Sequence, residues 1–575
     1  MKHLTLTLSL LLLLLSLSPA HADDYKVNLR WDHFYDYQQT EDALRQLSKA
    51  YSGLASLQSI GRSEEGRDLW QLTINNPATG DDLDKPGIYV DGTIHGNEIQ
   101  ATEVSLYLAW YLLENYGDIA TVTEAVDRNA FYIVPTVNVD SRARFFEDAS
   151  NYNIGRSARV PYDDDRDGLL DEDGYDDLDG DGEILRMRVA DPTGPYRTSP
   201  DDPRLMVRRK PWEQGEWRII EREGIDNDGD GQINEDLPGQ LDMNRNYGGT
   251  WQPPYVQYGA GDYPMSAKPT YAVGQFVLSK PNLAFNWAFH NYGGLIVRGP
   301  GSELDGPYPP SDIKVFDFLG EEGEKILPGY EYIVSKDDLY STYGDFDGFM
   351  YQTFGVLGFV QELHNRINDR YRKMTDDEWV ADEDVPWELE RLRFNDNVAQ
   401  GTMFKDWTTI QHPQLGEVQV GGWRAFTTRM QQPFQLQEML HRNAAHVLFT
   451  AKHTPEIELE LLEQTDLGND LTRLRVRASN RHAIPTLTAK AWQHRLAPKD
   501  LFTLSGRGLE VVSGGILQDP FLDIVRPVEH QPGTIYTRLP SFGHVDVQWI
   551  VQGNGKATVR YHAVKAMDRE LEVRF

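Results

Sequence analysis

Four short stretches of this chain hold side chains able to bind a metal, move a proton or grip an anion. They are His95-Gly96-Asn97-Glu98, Asp242-Met243-Asn244-Arg245-Asn246-Tyr247, Phe289-His290 and Gly358-Phe359-Val360-Gln361-Glu362-Leu363. In the first, an imidazole and a carboxylate three residues apart can converge on one point near a helix start, which is half of a His/Glu metal site. Taken alone, His-x-x-Glu is a weak signal, because a surface histidine ahead of a first-turn glutamate reads the same way. The pair gains force only if the rest of the chain supplies a third ligand, a base and a substrate clamp at the same place.

The elements around these stretches decide that. Ile88 to Val90 reads as the end of a buried strand, and the apolar run from Ile99 to Tyr116 has helical spacing, so His95 and Glu98 lie at a strand-to-helix junction. Gly92 and Gly96 are expected to let the backbone turn tightly there. Asn282 to His290 is a second buried strand ending in an ionisable residue, and Gly355 to Val360 a third, running into Gln361 and Glu362. A helix over Thr40 to Ala50 and strands at Leu57–Gly61, Leu69–Ile74 and Phe131–Pro135 complete an alternation that predicts an α/β domain. In such sheets, sites form beyond the carboxyl ends of strands, where His95 falls.

Beyond this domain, residues 383–415 are charged, Trp-rich and without a clear pattern, Leu415–Trp423 reads as a hairpin arm, and Gln435–Lys452 as a closing helix. From Thr454 onward short alternating runs such as Glu456–Leu461, Thr472–Ala478 and Ala557–His562 predict an all-β sandwich over 453–575, with a binding or folding-support role and no catalytic cluster.

Composition narrows the classes further. Lys2 and His3 precede an apolar run from Leu4 to about Leu17 and a small-residue Ala20-His21-Ala22 pattern, so residues 1–22 read as a signal peptide and 23–452 as the main domain. Localisation is then exported, periplasmic or secreted. The formal charge is −33, which argues against nucleic acid and anionic membrane surfaces as partners. Cysteine is absent, so an exported chain must hold together without disulfides, and any zinc site must use His and carboxylate ligands.

From about 155 to 239 the chain turns acidic. Asp163, Asp165, Asp167 and Asp171 in one run, Asp177, Asp179 and Asp181 in a second, and Asp226, Asp228 and Asp230 in a third repeat an Asp-x-Asp-x-Asp-Gly theme. Alternate carboxylates with glycine at the sharp turn are what a hard cation such as calcium requires. The twelfth position of each run lacks the bidentate glutamate of an EF-hand, so these read as calcium-binding acidic loops of another type.

In this order, His-Gly-Asn-Glu, Asp-Met-Asn-Arg-Asn-Tyr, Phe-His and Gly-Phe-Val-Gln-Glu-Leu resemble the carboxypeptidase A-like zinc metallocarboxypeptidases over roughly residues 30–450. The resemblance implies a mixed central sheet flanked by helices, and one Zn²⁺ held by His95, Glu98 and His290. It gives Glu362 the role of general base, and Asn244 with Arg245 the clamp on the substrate's terminal carboxylate, which a planar guanidinium suits. Tyr340 takes the place of the tyrosine that covers the family's site, with Tyr343 as competitor. The oxyanion arginine falls to Arg156, with Arg159 and Arg144 behind it, because the family's Asn-Pro-Asp-Gly landmark reads Asn138-Val139-Asp140-Ser141 here. Asp347 falls at the base of the pocket for the terminal side chain, where an acid favours Lys or Arg.

The expected function is a zinc metallocarboxypeptidase acting on peptides with a free C-terminus, with calcium as a structural ion and no membrane anchor. The alternatives are a cell-wall muropeptide peptidase on the same zinc site and a non-catalytic calcium-dependent binding protein.

Overall fold

The computed structural model of the protein describes residues 25–148, 155–163, 168–364, 370–373, 386–425 and 427–575, so the expected signal peptide over 1–22, Asp165 and Asp167 lie outside the described residues. The strands of the main domain are, in chain order, β1 (Ala55–Arg62), β2 (Asp68–Ile74), β3 (Gly87–Gly92), β4 (Ala130–Val134), β5 (Arg186–Ala190), β6 (Tyr196–Thr198), β7 (Met206–Arg208), β8 (Trp217–Arg222), β9 (Leu283–Asn291), β10 (Leu295–Arg298), β11 (Glu331–Val334), β12 (Leu357–Leu363), β13 (Phe404–His412) and β14 (Gly416–Trp423). Eight of them form a mixed sheet in the order β1-β2-β4-β3-β9-β12-β10-β11. Its four central members, β4, β3, β9 and β12, run parallel, so their carboxyl ends share one edge.

Every residue of β3, β4 and β9 is buried, as expected for parallel strands covered on both faces. The helices of the main domain are α1 (Tyr37–Ala50), α2 (Gln100–Glu114), α3 (Ala120–Arg128), α4 (Val139–Glu147), α5 (Lys268–Leu278), α6 (Pro310–Ile326), α7 (Phe346–Phe354), α8 (Trp387–Asn397) and α9 (Leu436–Lys452). Helices α1, α2, α6 and α9 share a core with Ile88, Val90, Trp287 and Phe359, whereas α5, α7 and the segment around Met243 share one with Tyr89, Tyr132 and Ala288. Side chains alternate along a strand, so His290 follows Ala288 and Glu362 follows Val360 onto the α5/α7 side. Gln361 points the other way, its amide oxygen accepting from His446 Nδ1 of α9 at 3.2 Å.

The acidic insertion is more than loops. Strands β5 to β8 join β13 and β14 in a second, six-stranded sheet ordered β13-β14-β5-β8-β6-β7, with Val420 paired to Met187 and Gln419 to Arg188. The stretch 383–415 that carries no clear pattern in sequence thus supplies α8 and β13. Arg188 is buried in this sheet, its guanidinium 4.0 Å from the rings of both Trp217 and Trp407.

Nine further strands between Ile457 and Arg574 form a five-stranded and a four-stranded antiparallel sheet. Val476, Trp549, Phe502 and Tyr561 from the two sheets meet in one core, which makes a sandwich. It docks on the main domain through Asp312 of α6, whose carboxylate accepts from the backbone N–H of Ala489 at 2.7 Å and Lys490 at 3.0 Å. Thr488 donates to the carbonyl of Gly355, the residue that caps α7.

One buried ion pair holds the helix that follows the His95 turn. Arg142 of α4 meets Glu103 of α2 at 2.7 Å, both nearly sealed from solvent, and the same groups bind the backbone N–H and C=O of Tyr35. Removing one partner strands the other charge in the interior, at a cost of about 3–5 kcal/mol. Glu103→Ala should therefore lower the stability of the main domain by about that amount in urea unfolding; a loss below 1 kcal/mol would show that the pair is dispensable.

Candidate active site

The carboxyl edge of the parallel strands carries the chemistry. The chain leaves β3 at Gly92, turns through Thr93 at a positive φ of 53°, and brings His95 and Glu98 back toward the sheet. The two glycines serve by close approach rather than by unusual torsion. A Cβ on Gly96 would stand 2.3 Å from the carbonyl oxygen of Gly155, and one on Gly92 2.5 Å from that of Ala101. Parallel pairing of β9 and β12 sets His290 directly opposite Glu362, so sheet register alone delivers the second imidazole and the second carboxylate to one spot.

There the Glu98 carboxylate sits between two rings, 2.9 Å from His95 Nδ1 and 3.1 Å from His290 Nδ1. All three residues are buried, and their ligand atoms lie within 4.8 Å of one another. Two imidazole nitrogens and a carboxylate converging in this way suit a zinc ion and leave it a further position. Far from Glu98, His95 Nε2 meets Asp242 Oδ1 at 3.0 Å, which fixes the ring's orientation. Asp242 Oδ2 receives the Arg156 guanidinium at 2.9 and 3.2 Å, and Arg156 also reaches Glu98 at 3.5 Å.

The charges are mutually arranged. Burial works to raise the Glu98 carboxyl, but the two imidazoles hold it below its ordinary value. Burial and Arg156 push the His95 imidazole down, and Glu98 with Asp242 outweigh them. Asp242, buried yet facing His95, Arg156 and Arg245, is held well below the usual carboxylate range. Glu362 is the exception: burial first, and the Glu98 charge second, push its carboxyl up to about 7. Two carboxylates in one cavity with separated proton affinities are a common signature of divided roles.

The cavity that holds these groups, about 220 Å³, is also lined by Arg156, Asn244, Arg245, Tyr340 and Asp347. Asn244 and Arg245 lie on a 3₁₀ turn whose start is pinned by Asp242 Oδ1, which accepts from the Asn244 N–H at 2.8 Å. The Asn244 side chain accepts from the N–H of Phe346, tying that turn to α7. Arg245 is buried and donates to its neighbour's carbonyl, and the Tyr340 ring lies 6.0 Å from its guanidinium. Among the described residues no acidic side chain pairs with it. Asp347 stands on the first turn of α7, where burial and the neighbouring Asp345 raise its carboxyl well above the ordinary range.

Several sequence candidates fall elsewhere. Tyr343 does not line the cavity, and Arg144 and Arg159 both turn to Glu65. Asp163 accepts from the N–H of Gly168, and Asp171 from those of Tyr162 and Gly239. Asp226, Asp228 and Asp230 gather their oxygens within 4.8 Å, Asp228 also converges with Asp173 and Glu235, and Asp177 and Asp179 do so with Glu223. In the second loop Lys405 already reaches Asp179 and Asp181. Sequence reasoning gave Asp242 no role although its motif was in view, and it missed Arg429, which lines the cavity from the loop before α9 and whose carbonyl holds the Asn291 side chain.

Residues 40–171 match the family model described as zinc carboxypeptidase, and residues 456–574 match one described as a domain of unknown function, DUF8731. Human carboxypeptidase D is 35% identical over 124 residues, which is 22% of this chain and 9% of that protein. Metallocarboxypeptidase A of Trichophyton tonsurans is 33% identical over 143 residues, 25% of this chain and 33% of that protein. The chain thus spans a third or less of the length of these curated relatives. Among solved structures, thrombin-activatable fibrinolysis inhibitor aligns with a TM-score of 0.45 at 14% identity, covering 74% of this chain and 75% of that one. Carboxypeptidase A from Helicoverpa armigera aligns at 0.42 and 15%, covering 78% and 82%. The stretch that matches the zinc carboxypeptidase model holds His95, Glu98 and Arg156.

Because Asp242 orients His95 from behind, replacing it with asparagine should weaken zinc binding by about 10- to 100-fold. Competition against a chromogenic chelator measures this; an unchanged affinity in a folded variant would remove Asp242 from the metal's support.

Proposed function

We propose that this protein is a zinc-dependent metallocarboxypeptidase that hydrolyses the last peptide bond of substrates with a free C-terminus. The observation that carries the reading is the buried Arg245 guanidinium, without an acidic partner among the described residues and facing the same cavity as the His95, Glu98 and His290 set. A buried, lone guanidinium is a receptor for a planar anion, and a terminal carboxylate fits it. When bound, zinc polarises the scissile carbonyl and makes water a better nucleophile.

The chain's own residues do the rest. Arg245 and Asn244 anchor the terminal carboxylate and so set the scissile bond beside the two imidazoles. Glu362, whose carboxyl is pushed up to about 7, takes a proton from the attacking water and delivers it to the leaving amine. Arg156, locked by two hydrogen bonds to Asp242, donates to the oxygen on which charge develops. Tyr340, exposed at the mouth, closes over the terminal residue. Asp347 at the pocket base favours a terminal Lys or Arg, whose charge returns its carboxyl to the ionised form.

Two further features belong to this reading. The leader 1–22 places the enzyme outside the cytoplasm, periplasmic or secreted. The acidic loops bind calcium as a structural ion, supported by the converging oxygens of Asp226, Asp228 and Asp230.

Glu362→Gln should lower kcat on a short C-terminal substrate by about 10²–10⁴-fold while the variant still binds stoichiometric zinc. Retained turnover, measured against the metal content of the same sample, would remove Glu362 from the reaction. In thermal unfolding of the holoenzyme, calcium at a hundredfold excess over its Kd should add about 2.7 kcal/mol; a melting temperature that is flat across millimolar calcium would eliminate the loop sites.

A further inference from the structure

A second cavity, about 500 Å³, adjoins the one just described. The two share Arg429, and Asn97, which stands between His95 and Glu98, lines the second. It is walled by the six-stranded sheet and α8, the parts of the chain contributed by the acidic insertion and by 386–425. Its chemistry runs against the rest of the molecule. In a protein with 89 acidic and 56 basic side chains, six arginines line it and Glu388 is the single acid among its described lining residues.

Not all of that charge is available. Arg204 is held by Asp202 and Asp396, and Arg424 reaches Glu183. The others are disposed differently. Arg391 lies 4.1 Å from the Trp387 ring and 5.6 Å from that of Trp423, and Arg429 lies 5.1 Å from that of Tyr292. Arg222 donates to the carbonyl of Ile184. Arg186 is exposed at the start of β5, and burial raises the nearby Glu388 carboxyl against the pull of the Arg391 and Arg186 charges. A guanidinium laid on an aromatic ring, as that of Arg429 is on Tyr292, can still donate through its edge to a carboxylate. The Asn97 amide oxygen adds a second kind of signal. It is buried, its residue 8% exposed, and it has no hydrogen-bond donor among the described residues. An acceptor in that state beside a cavity suits a backbone N–H of an extended peptide.

Direction follows from the first cavity. With the terminal carboxylate at Arg245, the substrate chain must leave past the metal ligands on the side away from Arg245, and Asn97 and Arg429 mark a way into the second cavity. We infer that this arginine and aromatic cavity binds the upstream part of the substrate, and that the preferred substrates are peptides with acidic side chains a few residues before the scissile bond. The inference rests on the carboxypeptidase reading for its direction. Electrostatic sense supports the assignment, because a protein with a formal charge of −33 repels acidic peptides unless a local positive field receives them.

The test uses the zinc-loaded full chain and heptapeptides sharing one C-terminal pair, with Glu, Ala or Lys at the three positions before it. The glutamate series should have a kcat/KM about tenfold above alanine and further above lysine, an advantage that shrinks with added salt. Arg186→Glu, on an exposed position outside the first cavity, should abolish that advantage and leave cleavage of an N-benzoyl-glycyl dipeptide, too short to reach the second cavity, unchanged. Equal rates across the series, or a lysine preference, would overturn the inference while leaving carboxypeptidase activity intact. Competitive inhibition by polygalacturonate without any glutamate advantage would assign the cavity to an anionic glycan instead. If neither the short substrate nor any heptapeptide is cleaved, the carboxypeptidase reading fails. Binding of a C-terminally amidated Glu-rich peptide then decides the cavity separately: weaker binding to Arg186→Glu than to the unmodified protein upholds acidic recognition, and equal binding ends it.

Discussion

The site depends on one carboxylate, that of Asp242. One of its oxygens takes His95 Nε2 and the N–H of Asn244, and the other takes the Arg156 guanidinium. The His95 imidazole, the turn that carries Arg245, and the arginine beside the candidate metal set are therefore referenced to a single buried anion. Its ionised form is secured by the cations it gathers, since their attraction exceeds the penalty of burial. Pre-organisation here is electrostatic: an imidazole, a backbone N–H and a guanidinium are held at fixed separations by one buried charge.

Much of this was legible from residue types and order, and the reason is local. His95 and Glu98 sit on one turn, and Asn244 and Arg245 on another, so short motifs capture their proximity. His290 and Glu362 lie 72 positions apart but end adjacent parallel strands, and a buried-strand pattern terminating in an ionisable side chain signals that geometry. What sequence could not supply is what tertiary contact decides. Nothing in Thr427-Thr428-Arg429-Met430 indicates that Arg429 reaches the cavity. The glycines at 92 and 96 look like turn makers, whereas the fold needs them for backbone approach to Ala101 and Gly155.

The second sheet was hidden for a different reason. Arg186-Met187-Arg188-Val189 and Trp217-Arg218-Ile219-Ile220 carry short strand-like patterns, but runs of aspartate on both sides dominate the composition of any window that contains them. The strand that pairs with the first of them, Gly416–Trp423, and its own partner Phe404–His412 come about two hundred residues later. Short, charged strands joined over such distances have little local signature, and their stability comes from cross-strand contacts such as the stacking of Arg188 between Trp217 and Trp407.

The docking of the sandwich has a temporal consequence. Asp312 and Gly355 on the main domain receive Thr488, Ala489 and Lys490, and β5 receives β14, so α6, α7 and the wall of the second cavity are braced by segments synthesised late. A growing chain that has made His95, Glu98, His290 and Glu362 still lacks those braces. Competence therefore arrives as a late, long-range event rather than accumulating turn by turn, which is the slow regime of folding by topology.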